Sequence, residues 1–340
     1  MSKASVFKIG KEALIEQLGH DPAVFVGWSG FEERSVTSLR ALASMETIEV
    51  IQLYSEPFDY EAVGFQTEYE KLAGHRLSSS IGISRQDQYQ IQSAFRDAYR
   101  IALKNQRGLI VDISAMPRDV VIIGVDTIIE EWLSCKIKVK IVYNFAIDYD
   151  CRQKDVSKKW LSKGITRIVP VLGFSGKLYP GRDTTLLALI GFDPDRLMRI
   201  VEKAGVQSIV LGLGTTSMAE RKWLENESKR LASELSSSVI VNNSFEFNCE
   251  DAEGTARMIV GAIDNMSGTN IILAPLNNKI STIAAALACK IRPGVQICYA
   301  PALIYNVEGH SKPSDEFWIV DDFGDFFSKL INSIDQDGGN

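Results

Sequence analysis

Histidine is nearly missing from this 340-residue chain: His20, His75 and His310 are the three present, too scattered for a zinc site or a histidine-based triad. Cysteine is scarce too. Cys135, Cys151, Cys249, Cys289 and Cys298 are odd in number and contain no C-x-x-C pair. Cys135, Cys289 and Cys298 stand in apolar runs and read as small packed hydrophobes. No apolar run approaches the roughly 18 residues of a membrane span. The opening MSKASVFKIGKEALIEQLGH lacks the apolar core of a signal peptide. Excess positive charge is also lacking: the formal charge is −6, which disfavours long nucleic acids and membrane surfaces as partners. These absences predict a cytoplasmic protein without a metal or cofactor. What remains is ordinary for a globular chain, 45% apolar and 24% charged, and its length suggests two domains.

The chain repeats itself. YNFAIDY (143–149) and YAPALIY (299–305) both read Tyr-x-x-Ala-x-x-Tyr, and each follows a β-branched run, KIKVKIV or GVQIC. Upstream, LIVDISAMPRDVVIIGVDTII (109–129) has a counterpart in IILAPLNNKISTIAAALACKI (271–291). LSSSI (77–81) meets LSSSV (235–239), EYEKLAG (68–74) meets ESKRLAS (227–233), and GFEER (30–34) meets GFDPDR (191–196). Single short matches arise by chance. Five in one order, offset by 156 to 162 residues, indicate an internal duplication.

Each copy, 23–150 and 184–306, alternates near-continuous Val/Ile/Leu strands with helices. That pattern predicts an α/β fold: two tandem Rossmann-like three-layer sandwiches with mostly parallel sheets. The expected domains are 1–150, with an N-terminal helix, and 184–306. A connector at 151–183 and a strand–helix tail at 307–340 complete the chain. The helix DQYQIQSAFRDAYRIALKN should bury Ile91, Ala94, Phe95, Ala98 and either Ile101 or Ala102.

Ligands of open parallel sheets bind at the strand C-termini. In the first copy that rim holds Ser29, Gly30, Glu32, Glu33 and Arg34, then Asp112, Ser114 and Arg118, then Asn144. In the second it holds Asp193, Arg196, Gly214, Thr215, Asn277, Asn278 and Lys279. Glu32 and Glu33 either meet a ribose or base edge or complement a helix dipole. Asp112, inside an apolar strand, needs a partner such as Arg118, Arg34 or backbone N–H groups, and its alternatives are ligand contact or a salt bridge. The second copy has Leu273 and Pro275 where the first has Asp112 and Ser114, and it keeps a cation, Lys279. Lys279 is either an anion contact or a solvated charge, and Asn278 suits a helix N-cap. GLGTTSMAER lacks the full G-x-G-x-x-G spacing of a dinucleotide loop. Tyr143 and Tyr299 line the last strand of each copy or stack on a base.

APLNNKISTIAAALA resembles the fourth-strand loop of CRISPR-associated Rossmann-fold (CARF) sensor domains, and DISAMPRDVVIIGV resembles a diverged form of it. Two fused copies also resemble SAVED sensors of cyclic-nucleotide antiviral systems. The resemblance implies a cyclic oligonucleotide in a cleft between the copies. Lys279, Asn277, Asn278, Arg118 and Ser114 are the residues it carries over. Neither copy has the Gly-Gly pair of those loops, and the first has Met116–Pro117 instead.

Three functions follow as expectations. The first is a nucleotide-binding sensor, with a protein partner from the same defence system. The second is a nucleotide- or nucleoside-processing enzyme using Asp112, Glu32 or Glu33. The third is an interaction scaffold.

Overall fold

The structure is a computed structural model describing residues 6–56, 63–150, 152–192, 194–236 and 241–337. Asp193, Cys151 and most of the second LSSSV serine run lie outside the described residues. The chain divides into two compact units, Met1–Ile147 with Ser311–Asn340, and Asp148–His310. The second unit is thus an insertion between two strands of the first. The tail belongs to unit 1 and the connector to unit 2, a division that differs from a purely tandem arrangement.

Unit 1 opens with β1 (Val6–Gly10) and a short α1 (Leu14–Leu18). An N-terminal helix alone does not describe this segment, because β1 pairs antiparallel with a strand some 300 residues away. Then follow β2 (Ala23–Trp28), α2 (Arg34–Ala41), β3 (Ile48–Ser55) and α3 (Val63–Ala73). Next are β4 (Leu77–Ile83), α4 (Gln88–Lys104), β5 (Gly108–Asp112), α5 (Arg118–Ser134) and β6 (Val139–Tyr149).

In unit 2 the connector forms β7 (Ser162–Ile165) and β8 (Val169–Ser175). It continues with β9 (Thr184–Ile190), α6 (Pro194–Ala204), β10 (Ser208–Thr215), α7 (Lys222–Ser236) and β11 (Val241–Asn248). It finishes with α8 (Ala252–Asp264), β12 (Asn270–Pro275), α9 (Lys279–Ile291), β13 (Gln296–Tyr299) and β14 (Ala302–Tyr305). The chain then returns to unit 1 as β15 (Ser311–Val320) and α10 (Phe323–Asp337).

The sheet of unit 1 runs β1-β15-β6-β5-β2-β3-β4, and the larger sheet of unit 2 runs β11-β10-β9-β12-β13-β8. Five strands in each are parallel and share one order, with the first strand central, the second and third on one side and the fourth and fifth on the other. The added strands have one physical role. The fifth strand of a parallel sheet leaves an unpaired edge. In unit 1 β15 covers that edge, and in unit 2 β8 covers it in antiparallel pairing.

Helix α4 buries the predicted stripe, with Ala102 rather than Ile101 facing the core. One core cluster of unit 1 joins Leu14, Phe25, Val36, Leu39, Val50, Tyr69, Val142 and Phe317; a core of unit 2 joins Leu186, Ala188, Leu197, Ile200, Leu211 and Ile272.

Two of the sequence matches are not structurally equivalent. LSSSI lies in β4, whereas Leu235 and Ser236 end α7. Tyr143 and Tyr149 share β6, whereas Tyr299 ends β13 and Tyr305 ends β14, in another sheet. The EYEKLAG and ESKRLAS segments do both lie in the helix after the second strand.

Candidate functional site

In unit 1 the strand order reverses between β2 and β5, so their C-terminal loops flank a switch point. The β2 loop turns directly into α2, because Glu33 takes helical angles and Arg34 opens the helix. This turns Arg34 inward. Its Nη2 and Nε donate to Glu32 Oε2 at 2.7 and 3.0 Å, and Nε also reaches Ser311 Oγ at 3.1 Å. Nη1 donates to the Asn144 carbonyl at 3.2 Å and to the Tyr143 hydroxyl at 3.4 Å. Ser311 closes the group by donating to Glu32 Oε2 at 2.6 Å. The ion pair is almost fully dry, with side-chain exposures of 3% for Arg34 and 7% for Glu32.

A second group sits beside it. The Ser114 N–H and hydroxyl both donate to Asp112 Oδ1, at 2.9 and 2.5 Å. Ser114 Oγ in turn accepts the Asn144 N–H at 2.7 Å. The Asn144 amide donates to the Ser314 and Glu316 carbonyls at 2.7 and 3.1 Å, tying β6 to β15. Burial pushes the Asp112 carboxyl above its ordinary range; the Ser114 and Ser38 hydroxyls, the Ser114 N–H and the charge of Arg34 pull against it without cancelling it. Gly27 pairs with Asp112 across the sheet, and a Cβ there would stand 2.4 Å from the Tyr69 hydroxyl. Burial and then the charge of Asp112 push the Tyr69 pKa well up. The Tyr69 hydroxyl and Asn144 Oδ1 are buried with no hydrogen-bond partner among the described residues. Ser29 ends a polar chain across the next strands: Ser80 donates to Gln52 at 2.7 Å, and Gln52 to Ser29 Oγ at 2.9 Å.

Above this layer Gly30 and Arg118 are half-buried, and Pro117 caps α5 so that Arg118 is its first residue. The structure therefore gathers Ser29, Glu32, Arg34, Asp112, Ser114 and Asn144 beneath a rim that carries Gly30 and Arg118. Glu33 is not gathered: its carboxylate accepts Arg40 Nη1 at 2.7 Å, and Arg40 also binds Glu68. Ser311, Tyr69 and Gln52 were not singled out from sequence. Only Gln52, a polar residue in the apolar IEVIQLYS, carried a signal there.

The corresponding rim of unit 2 is occupied by its own side chains. Asn277 Nδ2 donates to the Ile190 carbonyl at 2.5 Å, and Asn277 Oδ1 accepts the Asn278 N–H at 2.8 Å and Cys249 Sγ at 3.3 Å. Asn278 caps α9 by accepting the Ser281 N–H at 2.9 Å, and its amide donates to the Cys249 carbonyl at 2.6 Å. A Cβ on Gly214 would stand 2.6 Å from both Asn277 Nδ2 and Cys249 Sγ, so a side chain there would displace that pair. Thr215 Oγ1 donates to the Phe247 carbonyl at 3.0 Å. Burial pushes the Cys249 thiol up to about 12, which makes it a poor nucleophile. Lys279 is the half-buried first residue of α9. Arg196 is buried against Ser162, at 2.9 Å.

Among the described residues no group of three or more His, Cys, Asp or Glu side chains could hold a metal, and no helix is long and apolar enough to cross a membrane. Cys289 and Cys298 are buried, but Cys135 is exposed just past the end of α5, contrary to the packed position its apolar context suggested.

No family model matches the chain, and no curated protein does. Among solved structures, AtPrR2 in apo form is 12% identical, with 71% of this chain and 84% of that one covered at a TM-score of 0.25. A universal stress protein from Archaeoglobus fulgidus is 11% identical, with 84% and 98% covered at a TM-score of 0.23. AtPrR2 with NADP+ and (+)pinoresinol is 12% identical, with 79% and 86% covered at a TM-score of 0.26. Likenesses this weak carry no argument about this chain, and its fold class rests on its own strand order.

Proposed function

We propose that the protein binds a nucleotide-type ligand at the strand C-terminal rim of unit 1. The observation that carries this reading is the dry polar layer at the switch point, where Arg34, Glu32, Asp112, Ser114 and Asn144 converge and two buried polar atoms, Tyr69 Oη and Asn144 Oδ1, have no hydrogen-bond partner among the described residues. A core that needed only stability would satisfy such groups or replace them with apolar ones. Here the layer holds the Gly30 and Ala115–Arg118 loops from below, and those loops meet the ligand with backbone N–H groups and the Arg118 cation. The acids in the layer suit a ribose or base edge better than a bare phosphate.

The narrower form of the proposal is a sensor of cyclic oligonucleotides in a defence system, with a protein partner from that system. Descent of both units from one duplicated ancestor accompanies it, supported by their common strand order. Calorimetry against ATP, NAD+, and cyclic and linear oligonucleotides tests the proposal. Saturable binding by at least one of them, weakened by Arg118→Ala, is the expected result. No binding across that panel sinks it.

A second reading, nucleotide processing, is favoured by one observation: Asp112 is a buried carboxyl with a raised pKa beside a hydroxyl it orients. Nucleotides incubated with the protein and followed by mass spectrometry would show turnover that disappears in Asp112→Asn while binding persists. Turnover unchanged by Asp112→Asn removes this reading.

A further inference from the structure

The KIKVKIV run has a consequence at the opposite edge of unit 1, under the N-terminal ends of β2, β5 and β6. Lys136, Lys138 and Lys140 recur at the period of an extended strand and so project to one side. The Leu109 N–H bonds the Lys138 carbonyl at 2.9 Å, so the extended register already holds there, before β6 begins. All three lysines line one cavity of about 550 Å³, together with Arg107 and one acid, Asp21. Its remaining wall is largely apolar and includes Leu18, Pro22, Leu103 and Ile137.

The charges around it are unequal. Arg107 is matched by Glu49 at 2.6 Å. Lys138 and Lys140 share a single carboxylate, Asp321, at 3.2 and 2.5 Å. Lys140 is buried and also donates to the Gln17 carbonyl at 2.9 Å. Lys136 lies over the Trp132 ring, 4.7 Å from its centroid. Counting Asp21, the cavity and its ion partners set three carboxylates against four cations. Burying a lysine beside another lysine on one shared acid is unfavourable unless a further anion joins them. The volume falls within the range of small-molecule sites, and an apolar wall with few convergent charges is their usual composition.

We propose that this cavity is a binding site for a small organic anion. Its phosphate or carboxylate head meets Lys136 and Lys138, and its apolar body rests on Leu18, Pro22, Leu103 and Ile137. The site is independent of the unit 1 rim and of the nucleotide proposal.

Calorimetry on the full chain tests it with phenyl phosphate, inorganic phosphate and benzyl alcohol as probes. Phenyl phosphate should bind saturably, about tenfold more tightly than inorganic phosphate, and benzyl alcohol should not bind. Lys138→Glu and Lys136→Glu, both at exposed positions, should each weaken phenyl phosphate by about tenfold or more. Lys138→Glu faces Asp321, so Lys136→Glu decides the matter if the former does not fold. No saturable binding, equal affinity for the two phosphates, binding of benzyl alcohol, or affinity unchanged in Lys136→Glu would each overturn the proposal. Benzoate in place of phenyl phosphate then tells a carboxylate site from one that demands phosphate.

Discussion

Units 1 and 2 have the same order of five parallel strands, yet their rims are filled in opposite ways. In unit 1 the layer under the first and fourth strand loops is charged and dry, and it leaves the Tyr69 hydroxyl and Asn144 Oδ1 without hydrogen-bond partners among the described residues. In unit 2 two asparagines do the same structural work with neutral amides, each engaged by backbone or by Cys249. The difference teaches that a switch point is a place where function can be built, not a function in itself. A neutral, self-satisfied rim is a stable way to close a loop. A buried ion pair is a costly one, and unit 1 has kept it.

The largest effect should come from splitting that ion pair. Arg34→Ala removes the cation from the buried Glu32 carboxylate, and it should destabilise unit 1 by about 3–5 kcal/mol in urea denaturation. Removal of the Asn278 cap in unit 2 should cost far less. Equal losses from the two variants would erase the contrast between the rims.

Next comes the glycine beneath the layer. Gly27→Ala drives a methyl into the Tyr69 hydroxyl and should cost about 1–3 kcal/mol. Tyr69→Phe alone should be neutral or slightly stabilising, since it removes an unpartnered group, and it should recover part of the Gly27→Ala loss. Additive losses in the double variant would show that the hydroxyl is not what the methyl meets. In unit 2, Asn278→Ala should cost about 1 kcal/mol through the lost cap.

The pH dependence sharpens the comparison further. Folding raises the Asp112 pKa, so the folded state holds the proton more tightly than the unfolded chain. That contribution is fully present below the ordinary aspartate range and is lost as pH rises through it toward the folded value. Asp112→Asn should therefore flatten this part of the stability profile and raise stability at neutral pH relative to the parent. An unchanged profile would contradict the raised pKa. The smallest effect is chemical: among the described cysteines, the exposed Cys135 should alkylate first with iodoacetamide in the native protein, with the half-buried Cys249 slower because its thiol is held protonated. Peptide mass spectrometry reads the order directly.

Much of the frame was legible in the sequence, because it is local. The Val/Ile/Leu runs became β2, β3, β5, β9, β10 and β12, and the 3.6-residue stripe of α4 faced the core as its periodicity requires. The Asp112–Ser114 pairing was half legible, since an acid in an apolar strand demands donors and the nearest lay two residues on. The role of Ser311 was not legible. It reaches Arg34 only because β15 returns 277 residues later to cover the edge of β6. The serine match failed for a related reason: the same pair, Leu-Ser, opens a strand at Leu77–Ser78 and finishes a helix at Leu235–Ser236. Short polar runs carry little propensity, and their neighbours decide.

By itself, then, the sequence determined the alternation of strands and helices, the parallel character of both sheets, and the loops that sit at their C-terminal ends. Those properties follow from hydrophobic period and run length, which act over ten or twenty residues. Tertiary structure alone decided that unit 2 interrupts unit 1, that the tail completes the first sheet, and that Arg34 turns inward to Glu32 and Ser311. Each of these depends on pairing between segments far apart in the chain, where the gain is burial of edges and charges and no local pattern records the partner.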